Sequence, residues 1–120
     1  NFRITKKNNS IYIKSFDVDH GMIKATGYVF EKICYISDCN NIDKKNYKHL
    51  KGLRYLIIDC LRIKKHPSHF NLDEAVKISN FLNPKKTILT NLHVDFDYKT
   101  LKKMMPSNII PAYDGLKFNF

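Results

Sequence analysis

Histidines and carboxylates collect at four places in this chain, each directly after an apolar stretch. His20 closes the group Asp17, Asp19, His20; Asp38 follows the apolar run 33–36; Asp59 ends the run 55–58 and leads into Arg62, Lys64, Lys65, His66 and His69; and Asn91, His93, Asp95, Asp97 and Tyr98 stand where the run 87–92 gives out. Imidazole and carboxylate are the ligands expected for zinc, manganese or iron, cations that polarise a phosphoryl or carbonyl oxygen and make bound water acidic. One ligand at each of several strand ends is held rigidly and leaves a coordination position open for substrate. Taken singly, the same residues have plainer readings. Asp38 fits a helix or turn cap, and His20 a structural or exposed histidine. His66 and His69 are three apart with Pro67 between them, which rules out a helical pair of zinc ligands.

The elements that must position these groups follow from hydrophobic period and punctuation. Residues 2–16 alternate as a hairpin broken by a turn at 6–10, with Ile11 and Ile13 facing inward. Extended segments are expected at 23–30 and 33–36, joined by a turn at Glu31 and Lys32, and a short helix from an Asp43 cap to Leu50 before Gly52. The apolar, β-branched run 55–58 fits a strand covered on both faces. Asn71 and Glu74 form a capping box, so a helix should fill 72–82. A strand at 87–92, a helix capped by Asp97 and closed by Pro106, a strand at 109–112, a turn at Asp114 and Gly115 and an extended end at 116–120 complete the order. Strands separated by helices predict an α/β fold, a mixed β-sheet with helices on one face. Three short helices cannot cover both faces of six or seven strands, which predicts an oligomer or a partner segment.

Size and charge bound the rest. The 120 residues suit a single domain, 1–120, and at 43% hydrophobic and 27% charged the composition is that of a globular protein. No apolar run nears the roughly 20 residues that span a bilayer, and the amino end is polar, so no membrane role and a cytoplasmic location are expected. Cys34, Cys39 and Cys60 lack paired spacing and read as free thiols rather than a disulfide framework or a zinc site. A formal net charge of +10 favours polyanionic partners, nucleic acid among them, while scattered lysines fit equally a solvated surface.

The segments DHGMIKATGYVF, CYISDCNNI, LIIDCLRIKKHPSHFNLDEA, PKKTILTNLHVDFDY and PAYDGLKF, in this order, resemble the carboxy-terminal half of a metallo-β-lactamase-fold hydrolase, in the branch of the phosphonate-pathway phosphodiesterase and, further off, ribonuclease Z. The resemblance implies half of an αββα sandwich whose intact parent holds two Zn2+ or Mn2+ ions and hydrolyses a phosphate ester or nucleotide. It makes His20 a metal ligand, Asp38 the carboxylate bridging both ions, and His69 the group that contacts the scissile phosphate and protonates the leaving oxygen. In many relatives the last histidine ligand follows the threonine directly, where this sequence has Asn91 and then His93. Imidazole is the stronger donor, so His93 is the expected ligand, with Asn91 orienting it or a phosphate. Asp59 and His66 are expected to support the site, and Asp97, Tyr98, Tyr113 and Asp114 to lie near its rim.

The family's H-x-H-x-D-H motif does not occur in these residues. The chain alone is therefore expected to be inactive, acting with a complementary amino-terminal half or as a homo-oligomer. The alternative from another class is a non-catalytic scaffold or nucleic-acid-binding module that retains the fold.

Overall fold

Burial with a period of two marks the early chain as extended: Phe16 and Val18 are buried and Asp17 between them is exposed. The computed structural model describes residues 1–6 and 9–119. Strands β1 (Phe2–Lys6), β2 (Asn9–His20), β3 (Ile23–Phe30) and β4 (Ile33–Ile36) run antiparallel, each beside the next. From β4 the neighbours are parallel, through β5 (Tyr55–Asp59) and β6 (Lys86–Thr90) to β7 (Ile109–Pro111). Parallel pairing requires a crossover at each step. The crossovers carry a 3-10 helix (Lys44–His49), α1 (Leu72–Leu82) and α2 (Tyr98–Met104).

This order decides where chemistry can gather. The carboxyl ends of β4, β5 and β6 share one edge of the sheet, and two antiparallel steps bring the end of β2, with His20, to that edge as well. Backbone bonds join the two groups: Asp19 N–H donates to Asn41 O (2.9 Å), and Asn40 N–H donates to Asp19 O (2.8 Å).

One buried cluster supports the edge. Phe16 and Val18 of β2, Leu56 and Ile58 of β5 and Leu89 of β6 pack with Leu72 and Ala75 of α1 and Leu101 of α2. The capping box forms as the spacing predicts, Asn71 Oδ1 accepting from Glu74 N–H (2.9 Å) and Glu74 Oε2 from Asn71 N–H (3.1 Å). Inside, the Ser79 and Thr87 hydroxyls pair at 2.7 Å, so α1 meets β6 through a satisfied polar contact as well as an apolar one.

The described residues thus form a full mixed seven-stranded sheet with flanking helices. This corrects the expectation of half an αββα sandwich: the long β2 and β3 extend the parallel strands into one sheet whose core closes against helices of the same chain. Smaller differences have local causes. The helix after Asp43 is a 3-10 helix. The strand expected at 87–92 stops at Thr90 because Asn91 takes a left-handed conformation (φ 61). Residues 116–119 form no strand; instead the Phe118 ring lies 4.5 Å from that of Tyr55, whose hydroxyl donates to Asn119 O. Phe120 falls outside the described residues, as do Lys7 and Asn8 of the expected turn. Ile11 and Ile13 are half-buried and stand apart from the main cluster, and Ile13 lines an apolar groove with Phe2, Ile4 and Tyr28.

Gly27 allows the closest approach in the sheet. A Cβ there would meet Phe16 Cζ at 2.5 Å and Cε2 at 2.8 Å, and Phe16 is a core ring with little room to retreat. Gly27→Ala should cost about 1–3 kcal/mol through overpacking alone. Chemical denaturation should show a lower midpoint at unchanged slope.

Candidate metal centre

His20 is placed by its neighbours on both sides. Gly21 (φ 65) turns the chain out of β2, and a Cβ on it would stand only 3.0 Å from Ser68 Cβ, so the 66–69 loop presses against this turn. His20 Nδ1 lies 2.8 Å from Ser68 O. A carbonyl can only accept, so Nδ1 carries the hydrogen and Nε2 keeps its lone pair.

His69 is set in the same way by a carboxylate. Its Nδ1 is 2.8 Å from Oδ2 of Asp59, the wholly buried last residue of β5. The same oxygen accepts from Cys39 N–H (2.9 Å), and Oδ1 accepts from Asn91 Nδ2 (3.1 Å). Burial pushes the Asp59 carboxyl above its ordinary range, and the donors from Cys39, His69 and Asn91 pull against that rise. With Nδ1–H given to Asp59, His69 too is left with Nε2 free. Its ring stands edge-on to that of His20, centroids 4.6 Å apart.

Asp38 completes the trio. Its Oδ2 accepts from the Ser37 hydroxyl at 2.7 Å. One donor atom from each of His20, Asp38 and His69 lies within 4.8 Å of the others, and all three side chains are half-buried. Two imidazole nitrogens with fixed tautomers and one carboxylate form a mixed N/O donor set suited to zinc or manganese. Ligand bonds near 2 Å put the trio within reach of one cation after small rotations, so the residues fit a metal.

The other expected site residues fall at graded distances from this corner. The His66 ring lies tilted against that of His69, centroids 5.0 Å apart, and its imidazole is held below the ordinary value by partial burial and by the charges of Arg62 and His69. Asn91 bridges Asp59 and the Ser37 carbonyl (3.4 Å). His93 lies outside the trio: its exposed ring sits 3.2 Å from Asp95 Oδ1 and its Nδ1 accepts from Asp95 N–H. Asp97 caps α2, accepting from Thr100 N–H (2.8 Å) and the Thr100 hydroxyl, which hold its carboxyl below the usual range. Tyr98 and Tyr113 meet edge-on at 5.8 Å, and Asp114 is exposed on the following turn. Residue patterns alone did not reveal the Ser68 carbonyl and the Ser37 hydroxyl as supports; Gly21 was the visible sign of the first.

Comparison with known proteins places this fold and site in a family. A Beta-lactamase superfamily domain matches residues 2–92, and the chain belongs to that superfamily. The crystal structure of a new diphosphatase from the PhnP family is 32% identical and superposes with a TM-score of 0.89 over 98% of this chain and 46% of its own. Human tRNase Z, short form, is 18% identical over 88% of this chain and 42% of its own, with a TM-score of 0.71. At 16% identity, the metallo-beta-lactamase fold protein YhfI from Bacillus subtilis gives 0.69 over 92% of this chain and 48% of its own. These last two share the fold. An octanoyltransferase of Porphyromonas gingivalis is 27% identical over 107 residues, 88% of this chain and 22% of that protein.

The chain spans under half the length of the solved structures it matches. The identification as merely a carboxy-terminal half is nonetheless corrected. The seven-stranded sheet with its helices superposes as a metallo-β-lactamase-like fold domain over 98% of this chain. Among the described residues no helix is long and apolar enough to cross a membrane.

Proposed function

We propose that this chain supplies the cation-holding corner of a metal-dependent hydrolase of phosphate esters, acting in the cytoplasm. The observation that carries the reading is the convergence of His20, Asp38 and His69 with both histidine tautomers fixed from behind. A bound zinc or manganese ion supplies positive charge to polarise a phosphoryl oxygen and make water nucleophilic. His20, Asp38 and His69 would together hold the cation. Asp59 accepts from His69 Nδ1–H and so keeps the Nε2 lone pair turned toward the cation's place.

The substrate class is supported by the diphosphatase at 32% identity and by the net charge of +10, which draws phosphates to the surface. Acyl transfer through a thiolate has no candidate: all three cysteines are buried, and burial pushes Cys39 and Cys60 up to about 12. A two-ion centre needs more donors than this trio, so in this reading the rest come from a second copy or a complementary segment.

The test is turnover of bis(p-nitrophenyl) phosphate by the cation-loaded assembly. His69→Ala should lower cation affinity by about 10–100-fold or more, since a ligand is lost, and turnover should fall with it. Unchanged cation affinity in His69→Ala would take His69 out of the trio. Salt-dependent RNA binding by the metal-free chain, with no turnover in any assembly, would favour a non-catalytic nucleic-acid-binding module instead.

A further inference from the structure

Charge is divided along the strand axis. At the edge opposite the trio, where β4, β5 and β6 begin, Ile33 stands level with Tyr55 and Tyr55 with Lys86. The residues just before them, Lys32, Arg54 and Lys85, are therefore level as well and share one side of the sheet. Backbone bonds fix the row: Arg54 N–H donates to Lys32 O (2.7 Å), and Lys86 N–H donates to Arg54 O (3.0 Å). All three residues are exposed, and among the described residues none of their side chains has a hydrogen-bond or ion-pair partner. The chain has 11 Asp and Glu residues, and among the described residues Glu31 is the one side-chain carboxylate at this edge. The others lie in the last four residues of β2, or at and beyond the carboxyl ends of β4 to β7 as far as the first turns of the helices.

The spacing of the row narrows the partner. Adjacent strands are about 4.8 Å apart, so the three cations span roughly 10 Å. One strand of a nucleic-acid duplex carries a charge about every 3.4 Å of helix axis, so about three successive phosphates meet the row. A cavity of about 340 Å³ opens between Lys32 and Arg54, with Glu31 and Ile33 completing its lining, which gives a phosphate room to enter between the two cations. Arg54 can grip it with two parallel N–H donors. Bases find no open ring here: Tyr55, beside the row, is covered by Phe118 at 4.5 Å, which favours a duplex held by its backbone over a stacked single strand. The carboxylates gathered at the far edge oppose approach from that side, so the field turns the basic edge toward a polyanion.

We propose that this edge docks double-stranded nucleic acid through the phosphates of one strand, without reading bases. The five residues of β5 hold the row roughly 16 Å from the trio, so the duplex is an anchor and not the ester hydrolysed there. The test is fluorescence anisotropy of the metal-free chain, in chelator, with a labelled DNA duplex of about 16 base pairs and mixed sequence, across about 50 to 200 mM salt. Affinity should fall linearly with salt on logarithmic axes. Combining Lys32→Ala, Arg54→Ala and Lys85→Ala should weaken binding tenfold or more and make the slope shallower by about two to three. Combining Lys44→Ala, Lys64→Ala and Lys99→Ala removes the same charge from the far half and should leave binding near that of the parent, while Glu31→Gln should tighten it. Equal weakening by the two triple variants, or no duplex binding at the lowest salt, overturns the proposal. Binding to phosphatidylserine vesicles in place of the duplex, lost in the first triple variant, would assign the edge to a membrane surface and overturn it too. Duplex binding without turnover in any assembly removes the hydrolase reading and leaves the docking edge standing; turnover without duplex binding does the reverse.

Discussion

Replacing Asp38 with alanine should weaken zinc or manganese binding by about a hundredfold or more while leaving the chain folded. Loss of a group that merely orients a metal ligand costs about 10–100-fold in affinity, so loss of a ligand should lie at or beyond the top of that range. Asp38 also brings the only negative charge to the trio; without it two neutral imidazoles face the cation's charge unaided. Its structural cost is small, because the side chain is half-buried and its hydrogen bond is to the adjacent Ser37 hydroxyl. Calorimetric titration and a thermal melt on the same preparation separate the two effects. Unchanged affinity would remove Asp38 from the site.

Asp59→Ala should act in the opposite way, on the fold first. The carboxylate receives three donors, from Cys39, His69 and Asn91, and is wholly buried. Leaving buried donors unpaired costs about 1–3 kcal/mol each. Relief of a desolvated charge offsets part of this, so a net loss of about 3 kcal/mol is expected at neutral pH. The pH dependence has a definite sign. Burial raises the folded-state pKa above the ordinary value of 3.8, so the folded chain takes up this proton more readily than the unfolded one. The parent therefore gains stability relative to Asp59→Ala as pH falls through the folded pKa, and the gap levels off below 3.8. Denaturant midpoints across pH 7 to 4 should show the gap widening on acidification; a narrowing gap would mean that the donors outweigh burial.

The parts of this molecule that were legible in the sequence are those fixed by neighbours in the chain. Asn71 and Glu74 announced α1, and helix and box form there as the spacing required. The apolar run at 55–58 and its terminal Asp59 marked β5. Less legible were features decided by distant contacts. β2 continues to His20 through Asp17 and Asp19 because Val18 points into the core and the exposed side tolerates charge, so polar residues masked four further strand positions.

At the site, Asn91 and His93 would share a face only if the strand continued. The left-handed Asn91 ends it, sending the His93 ring to Asp95 and the Asn91 amide to Asp59. His69 stands with His20 and Asp38 because Ser68 and Asp59 lock the two rings across 48 and 10 residues of sequence. Spacing alone cannot express such a contact.

The central claim is that His20 and His69 present Nε2 to a shared cation with Asp38. The most direct measurement is ¹⁵N spectroscopy of the histidine rings during a zinc titration of the full chain. The account predicts that Nε2 of His20 and His69 respond together, saturating at one cation per trio, while both Nδ1 positions remain protonated and His93 follows neither. Zinc-dependent change at His93 with His20 and His69 unmoved, or coordination through Nδ1, would contradict it.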